Sequence, residues 1–272
     1  MQQKSVVSSF LSEKFMKTTV TKNIDNLVIE YVKNTVIGYS LASTDNFEEQ
    51  EIKFFLEHSL DHQFPVVLDV GANIGWHSIR WASQCKDAIV YAFEPSPSTI
   101  QILRKNVHKN RLEERVFVVE KAVSDIEGKS NFFECSDNAF SSLKNTKRMA
   151  IDNVISVPIT TIDNFVQEFK LKNISLIKID VEGYETEVIK GALKCLNDLK
   201  PDLFVEIYGG KFSNKDPQET IRLIQSLGYT AFVLDDGIAK AYVSHSDKFY
   251  NYYFTCKNRL FLGSTLSNEA VT

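Results

Sequence analysis

The sequence predicts a doubly wound α/β fold with a mostly parallel sheet. Three observations carry this reading. From residue 66 onward, short apolar runs alternate with segments of helical periodicity, the pattern of right-handed βαβ units. The apolar runs are nearly continuous, as in strands buried on both faces. The first of them, VVLDV, enters a glycine-bearing turn that opens a helix, the connection where open α/β sheets bind ligands.

The elements follow in order. Leu27 to Tyr31 reads as a short strand, and Asn46 to Leu60 as an amphipathic helix with Phe47, Ile52, Phe55, Leu56 and Leu60 at helical spacing. That helix is either a lid over a site or a packing helix that covers a sheet edge, and the second reading is favoured. Val66–Val70 is a strand, 74–83 a helix, AIVYAFE a second strand and 98–110 a second helix. RVFVVEKAV is a third strand. LIKID, DLFVEIY and TAFVLDD are later strands, separated by helices over 185–196 and 217–227. Residues 131–159 break the rhythm. Phe132 and Phe133 suggest a strand, while Ser136 to Ala150, with its KNTKR cluster, is either a loop over the site or a solvated connection. The expected division is an entry or lid segment at 1–62 and a catalytic domain at 63–272.

Composition narrows the function. The chain has 272 residues, 43% of them hydrophobic, a formal charge of −4 and a sequence pI near 5.8. That supports a substantial core and disfavours a nucleic-acid partner, whose backbone calls for a basic face. Cys85, Cys135, Cys195 and Cys256 form no C-x-x-C pair, so reduced thiols are expected. No stretch has the length and apolarity of a membrane span. The opening MQQKSVVSSFLSEKF lacks the apolar core of a secretory signal, so the expected location is cytoplasmic.

The turn Gly71-Ala72-Asn73-Ile74-Gly75 identifies the ligand class. A dinucleotide site wants G-x-G-x-x-G, but Asn73 and Trp76 occupy its second and third glycine positions. Asp69 would also set a carboxylate near a pyrophosphate, an unfavourable pairing. S-adenosylmethionine has no phosphate and carries an ammonium and a sulfonium, so Asp69 suits it. Glu94 ends the second strand roughly twenty residues after the turn, where a carboxylate accepts hydrogen bonds from ribose hydroxyls. Pro95 then stops the strand.

These residues resemble the FkbM family of methyltransferases. The strings are VLDVGANIGWHS, AFEPSP, AVSDIEG at 122–128, PITTIDNF at 158–165, LIKIDVEGYETEVIKGA at 176–192, LFVEIYG at 203–209 and the closing NRLFLG. The resemblance implies a Rossmann-like class I methyltransferase fold: a seven-stranded, mostly parallel sheet with an antiparallel last strand near the edge. It implies S-adenosyl-L-methionine as donor, S-adenosyl-L-homocysteine as product, and O-methylation of a sugar, glycan or natural-product hydroxyl. The acceptor is thus expected to be a small molecule or a carbohydrate. Carried over by position, the cofactor contacts are Asp69, Gly71, Asn73, Gly75 and Glu94, with Ala72 and Pro95 in the same strings. Ala122 and Val123 would flank the adenine. His77 stands where such sequences more often carry an aromatic residue.

Methyl transfer is an in-line displacement in which the protein aligns the reactants, and a neutral hydroxyl needs a general base. Asp180, Glu206 and His77 are the catalytic candidates. Asp180 and Glu206 end adjacent strands, and His77 lies in the first turn of the glycine-loop helix. Glu182 is either a helix cap or a site residue, Glu185 faces solvent or caps, and His245 is a weaker candidate. Mg²⁺ on Asp180 and Glu206 is an alternative, outside the main reading, which assigns no metal ligand. Competing functions are a nucleic-acid methyltransferase, a non-catalytic S-adenosylmethionine-binding module and a nicotinamide oxidoreductase. A basic aromatic face, a broken glycine turn and a full dinucleotide fingerprint, respectively, would mark them.

Overall fold

The computed structural model describes residues 18–209, 216–235, 238–246 and 248–257. The NRLFLG string lies outside the described residues.

The chain enters through a hairpin of β1 (Thr19–Ile24) and β2 (Leu27–Val32). Its two-residue turn, Asp25-Asn26, has φ of 47° and 67°, the positive values that match strand twist. Two helices follow, α1 (Val36–Thr44) and α2 (Glu49–His58). The alternating region then gives β3 (Val66–Val70), α3 (Trp76–Gln84), β4 (Ile89–Phe93), α4 (Pro97–Lys109) and β5 (Val116–Val119). After β6 (Ala122–Val123), β7 (Gly128–Cys135) and β8 (Ile151–Thr160) come α5 (Ile162–Glu168) and β9 (Leu176–Ile179). The chain continues with α6 (Glu185–Lys190), α7 (Leu193–Asp198), β10 (Asp202–Glu206), α8 (Pro217–Ser226), β11 (Thr230–Asp235), β12 (Ile238–Ala241) and β13 (Asn251–Thr255).

The main sheet runs β12-β11-β13-β10-β9-β3-β4-β5. Strands β10, β9, β3, β4 and β5 pair in parallel. β13 is antiparallel to both neighbours, β10 and β11. The chain reverses its winding at β3, between β4 and β9, so the switch crevice lies at the carboxyl ends of these strands. The fold is the expected one, with an antiparallel strand inserted near the edge, but among the described residues the sheet has eight strands rather than seven. β12 adds the eighth by pairing antiparallel with the edge of β11.

Three further differences have local causes. The expected third strand is cut in two, because Lys121 N turns back to Val119 O at 2.9 Å. β6 then joins β8 and β7 in a separate sheet, ordered β6-β8-β7, which occupies much of the segment expected to be irregular. The helix expected at 185–196 is α6 and α7. Asp163 Oδ1 and Oδ2 accept from the backbone of Cys195 and Lys194 at 2.7 and 3.0 Å, which caps a new helix start. The glycine-loop helix starts at Trp76 because Asn73 and Gly75 have φ of 52° and 85°, outside the helical region.

The described residues before 63 share one core with the sheet. Phe55 of α2 stacks on Phe204 at 4.8 Å and meets Tyr253 edge-on at 5.7 Å, so α2 covers the face of the sheet and not its edge. Trp76 Nε1 donates to Phe47 O at 2.7 Å and ties the entry to α2 onto α3. Among the described residues, no helix is long and apolar enough to cross a membrane.

Candidate active site

The carboxyl ends of β3, β4, β9 and β10 open into one pocket, and most of the expected residues line it. Gly71, Ala72, Asn73, Glu94, Pro95, Ala122, Val123, His77, Asp180 and Glu206 are on its wall. Asp69 and Gly75 are not among the lining residues.

The glycine turn is built by backbone constraint. Gly71 and Ala72 both donate to Phe93 O, at 3.1 and 2.9 Å, which locks the end of β3 to β4. Gly71 has φ of 82°, and a Cβ there would stand 1.8 Å from Asp180 O. Glycine is required because β9 passes against it, so a side chain at 71 would strike the strand end before it filled ligand space. Gly75 answers a different constraint: at φ of 85°, a Cβ would lie 2.3 Å from Leu103 Cδ1. It lets α3 and α4 approach. Asp69, like Gly75 expected to contact the cofactor, sits behind the turn. It is fully buried in β3 and accepts from Ser78 Oγ at 2.6 Å, with Lys178 Nζ 3.8 Å away.

Glu94 is the floor of the turn. Its Oε2 accepts from Asn73 N at 3.1 Å and its Oε1 from Ser96 N at 2.9 Å. Burial pushes its carboxyl up to about 7, and the charges of Glu134 and Asp69 add to that effect against the two backbone hydrogen bonds.

Across the pocket, β9 supplies a buried cation. Lys178 is 3% exposed and places Nζ 3.1 Å from Asp180 Oδ2. Burial disfavours its charge, but Asp180 and Asp69 overcome this and hold the ammonium above the ordinary lysine range. Burial works against the Asp180 anion too. The Lys178 charge and hydrogen bonds from Glu206 and Lys178 prevail, so Asp180 stays below the usual carboxylate range. Glu206 goes the other way, held well above its ordinary value by burial and then by the Asp180 and Glu48 charges. A side-chain hydrogen bond joins the two carboxyls, so they titrate as a pair.

The polar segment 136–150 closes over this centre and is not a solvated connection. Ser142 Oγ donates to Val181 O at 2.9 Å, and Lys144 Nζ to Gly183 O at 3.2 Å. Asn138 donates to the Asn73 side chain. Arg148 pairs with Glu182 and lies over the rings of Phe140 and Tyr208, at 4.8 and 4.4 Å. Glu182 therefore serves the pocket wall rather than a helix start. Glu185 is buried and accepts from Gly183 N at 2.8 Å; it does not face solvent. His77 is 5% exposed, its ring set among Phe47, Trp81 and Phe204. Its Nε2 lies 3.0 Å from Glu48 Oε2. His245 is off the pocket, with Nδ1 2.7 Å from the Tyr252 hydroxyl.

Sequence reasoning did not single out Lys178, Arg148, Glu48, Tyr208 and Tyr250, all of which line the pocket. Lys178 carried a usable signal, since a lysine inside an apolar strand is buried only when paired. Glu48 carried none.

The family model described as methyltransferase FkbM domain matches residues 69–231. Hexuronic acid methyltransferase AglP of Haloferax volcanii is 29% identical over 65% of this chain and 67% of its own length. The 2-O-methyltransferase NoeI of Sinorhizobium fredii is 28% identical over 50% of this chain and 61% of its own. The crystal structure of an FkbM methyltransferase from Methylobacillus flagellatus KT aligns with a TM-score of 0.49 and 17% identity, over 71% of this chain and 43% of that one. The domain match begins on β3, takes in the glycine turn, Glu94, Asp180 and Glu206, and spans most of the chain: the protein is a methyltransferase and belongs to the FkbM family.

Proposed function

We propose that this methyltransferase takes its methyl group from S-adenosylmethionine and delivers it to a hydroxyl of a sugar. The observation that carries the cofactor assignment is Glu94. Each oxygen of a carboxylate has two lone pairs, so the bonds from Asn73 and Ser96 leave capacity on both for a ribose diol. Ala122 and Val123, small and apolar, suit an adenine beside it. The wall carries Glu48, Glu94, Asp180, Glu182 and Glu206 against Lys121, Arg148 and Lys178.

Bound in this pocket, S-adenosylmethionine supplies an electrophilic methyl group. Asp180 receives the hydrogen bond of the acceptor hydroxyl, and the Asp180–Glu206 pair takes its proton. Lys178 keeps Asp180 ionised and fixed. The sugar acceptor is favoured by the two relatives, one named for hexuronic acid and one for 2-O-methylation. On this reading, residues 63–272 form the transferring domain, and the segment before them contributes the acceptor side of the pocket. Calorimetric titration with S-adenosylhomocysteine tests the cofactor assignment. Binding that Glu94→Gln weakens is expected; tight NADH binding with none for S-adenosylhomocysteine would overturn it.

A further inference from the structure

We propose that Glu48 binds the acceptor, holding a second hydroxyl of the sugar while Asp180 holds the one that is methylated. This rests on the sugar reading above and sharpens it: the acceptor is a pyranoside with at least two free hydroxyls on the face presented to the pocket.

The backbone gives the first argument. Glu48 has φ of 51°, a conformation disfavoured for a residue with a Cβ. It stands at the start of α2 but makes no side-chain capping bond. Asn46 Oδ1 accepts from Glu49 N at 3.2 Å instead. The unusual backbone directs the Glu48 carboxylate into the pocket, where it serves no helix.

The second argument is what it meets. Its Oε2 lies 3.0 Å from His77 Nε2, an ion-pair distance that lacks hydrogen-bond geometry. His77 is itself held by the rings of Phe47, Trp81 and Phe204. The imidazole, offered by the sequence as a base, is thus the support behind Glu48. The Glu48 side chain is 17% exposed and that of His77 6%, so the carboxylate is the group a ligand reaches first.

The third argument is position. Glu48 lines the same pocket as Lys178, Asp180 and Glu206. Tyr208 and Tyr250, stacked 4.8 Å apart with 16° between their planes, line that space as well. Two separated carboxylate positions beside an aromatic face match a ring with an apolar face and hydroxyl edges. A lone alcohol or phenol would engage only one of the two carboxylates. Glu48 and Tyr250 both lie outside the matched 69–231 region, which places acceptor choice on segments beyond the shared domain.

The test uses the full chain, methyl-labelled S-adenosylmethionine, methyl hexopyranosides and hexuronides, their monodeoxy analogues, and simple phenols. A pyranoside should be methylated. With it, Glu48→Gln should raise KM by about tenfold or more, the scale of a hydrogen bond to a charged group. Its S-adenosylhomocysteine affinity should stay within about twofold, a change worth well under 1 kcal/mol, and Glu48→Asp should recover part of the KM. Removal of the neighbouring hydroxyl from the sugar should cost the wild type a similar factor and cost Glu48→Gln little more. A methylated pyranoside whose KM ignores Glu48→Gln overturns this inference and leaves the sugar reading standing. Methylation of phenols alone, or of no pyranoside by a protein that binds S-adenosylhomocysteine, overturns both.

Discussion

Lys178 Nζ stands 3.1 Å from Asp180 Oδ2, and the lysine is buried near the carboxyl end of the central strand β9. The lysine also reaches Asp69 Oδ1 at 3.8 Å. One cation thus serves a carboxylate under the sheet end and another on the pocket wall.

Loss of that cation should be costly. Lys178→Met would leave buried Asp69 and half-buried Asp180 without a counter-charge, and breaking a buried pair by removing one partner costs about 3–5 kcal/mol. Urea unfolding should show a loss on that scale. A midpoint equal to that of the wild type would mean that the lysine does not hold the two carboxylates.

The Asp180–Glu206 pair gives a pH signature. Glu206 holds its proton above the ordinary carboxylate range because of burial and the Asp180 charge. As pH rises through that upper step, the pair loses its last proton, Asp180 gains basicity, and kcat should rise. Glu206→Gln removes the step, so the rise should vanish from the kcat profile. Asp180→Asn should lower kcat by about a hundredfold or more at any pH, with cofactor affinity nearly unchanged. Identical profiles for wild type and Glu206→Gln would separate the pair from the chemistry.

Cofactor affinity should depend on pH through Glu94. Its carboxyl is pushed up to about 7 by burial, and the ionised form is the better acceptor for a diol. S-adenosylhomocysteine should therefore bind tightest above that value and weaken as pH falls, by up to about tenfold per unit. Calorimetry from pH 5 to 9, roughly the span over which such a group titrates, reads this directly. Glu94→Gln should flatten the dependence.

Gly71→Ala should act on the fold and not only on the ligand. The added Cβ would sit 1.8 Å from Asp180 O at a φ of 82°, so β3 and β9 must part at their ends. We expect a stability loss of about 2 kcal/mol or more, combining backbone strain with overpacking, read by thermal unfolding. Unchanged stability with lost cofactor binding would restore the view that this position faces ligand space.

The parts of the site that were legible in the sequence are those written in one local string. VLDVGANIG announces a strand, a tight turn and a helix, and Glu94 follows at the end of the next strand. The direction of each side chain was not legible. Asp69 and Gly75 belong to the same string, yet Asp69 faces Ser78 of α3 and the backbone of Gly75 packs against Leu103 of α4. The acceptor side was harder still. Glu48, Arg148 and Tyr250 come from three distant segments and meet only after the sheet has formed. β12 was missed because IAKA has neither length nor a clear alternation, and its pairing is supplied by the neighbouring edge of β11.

Label transfer tests the central claim most directly. The full chain is incubated with methyl-labelled S-adenosylmethionine and a panel of methyl hexopyranosides and hexuronides, and the products are resolved by mass and by position of the new ether. The account predicts a single O-methyl group on one ring hydroxyl, with S-adenosylhomocysteine formed in equal amount and both lost in Asp180→Asn. Label on nitrogen, carbon or nucleic acid and none on any sugar would contradict it.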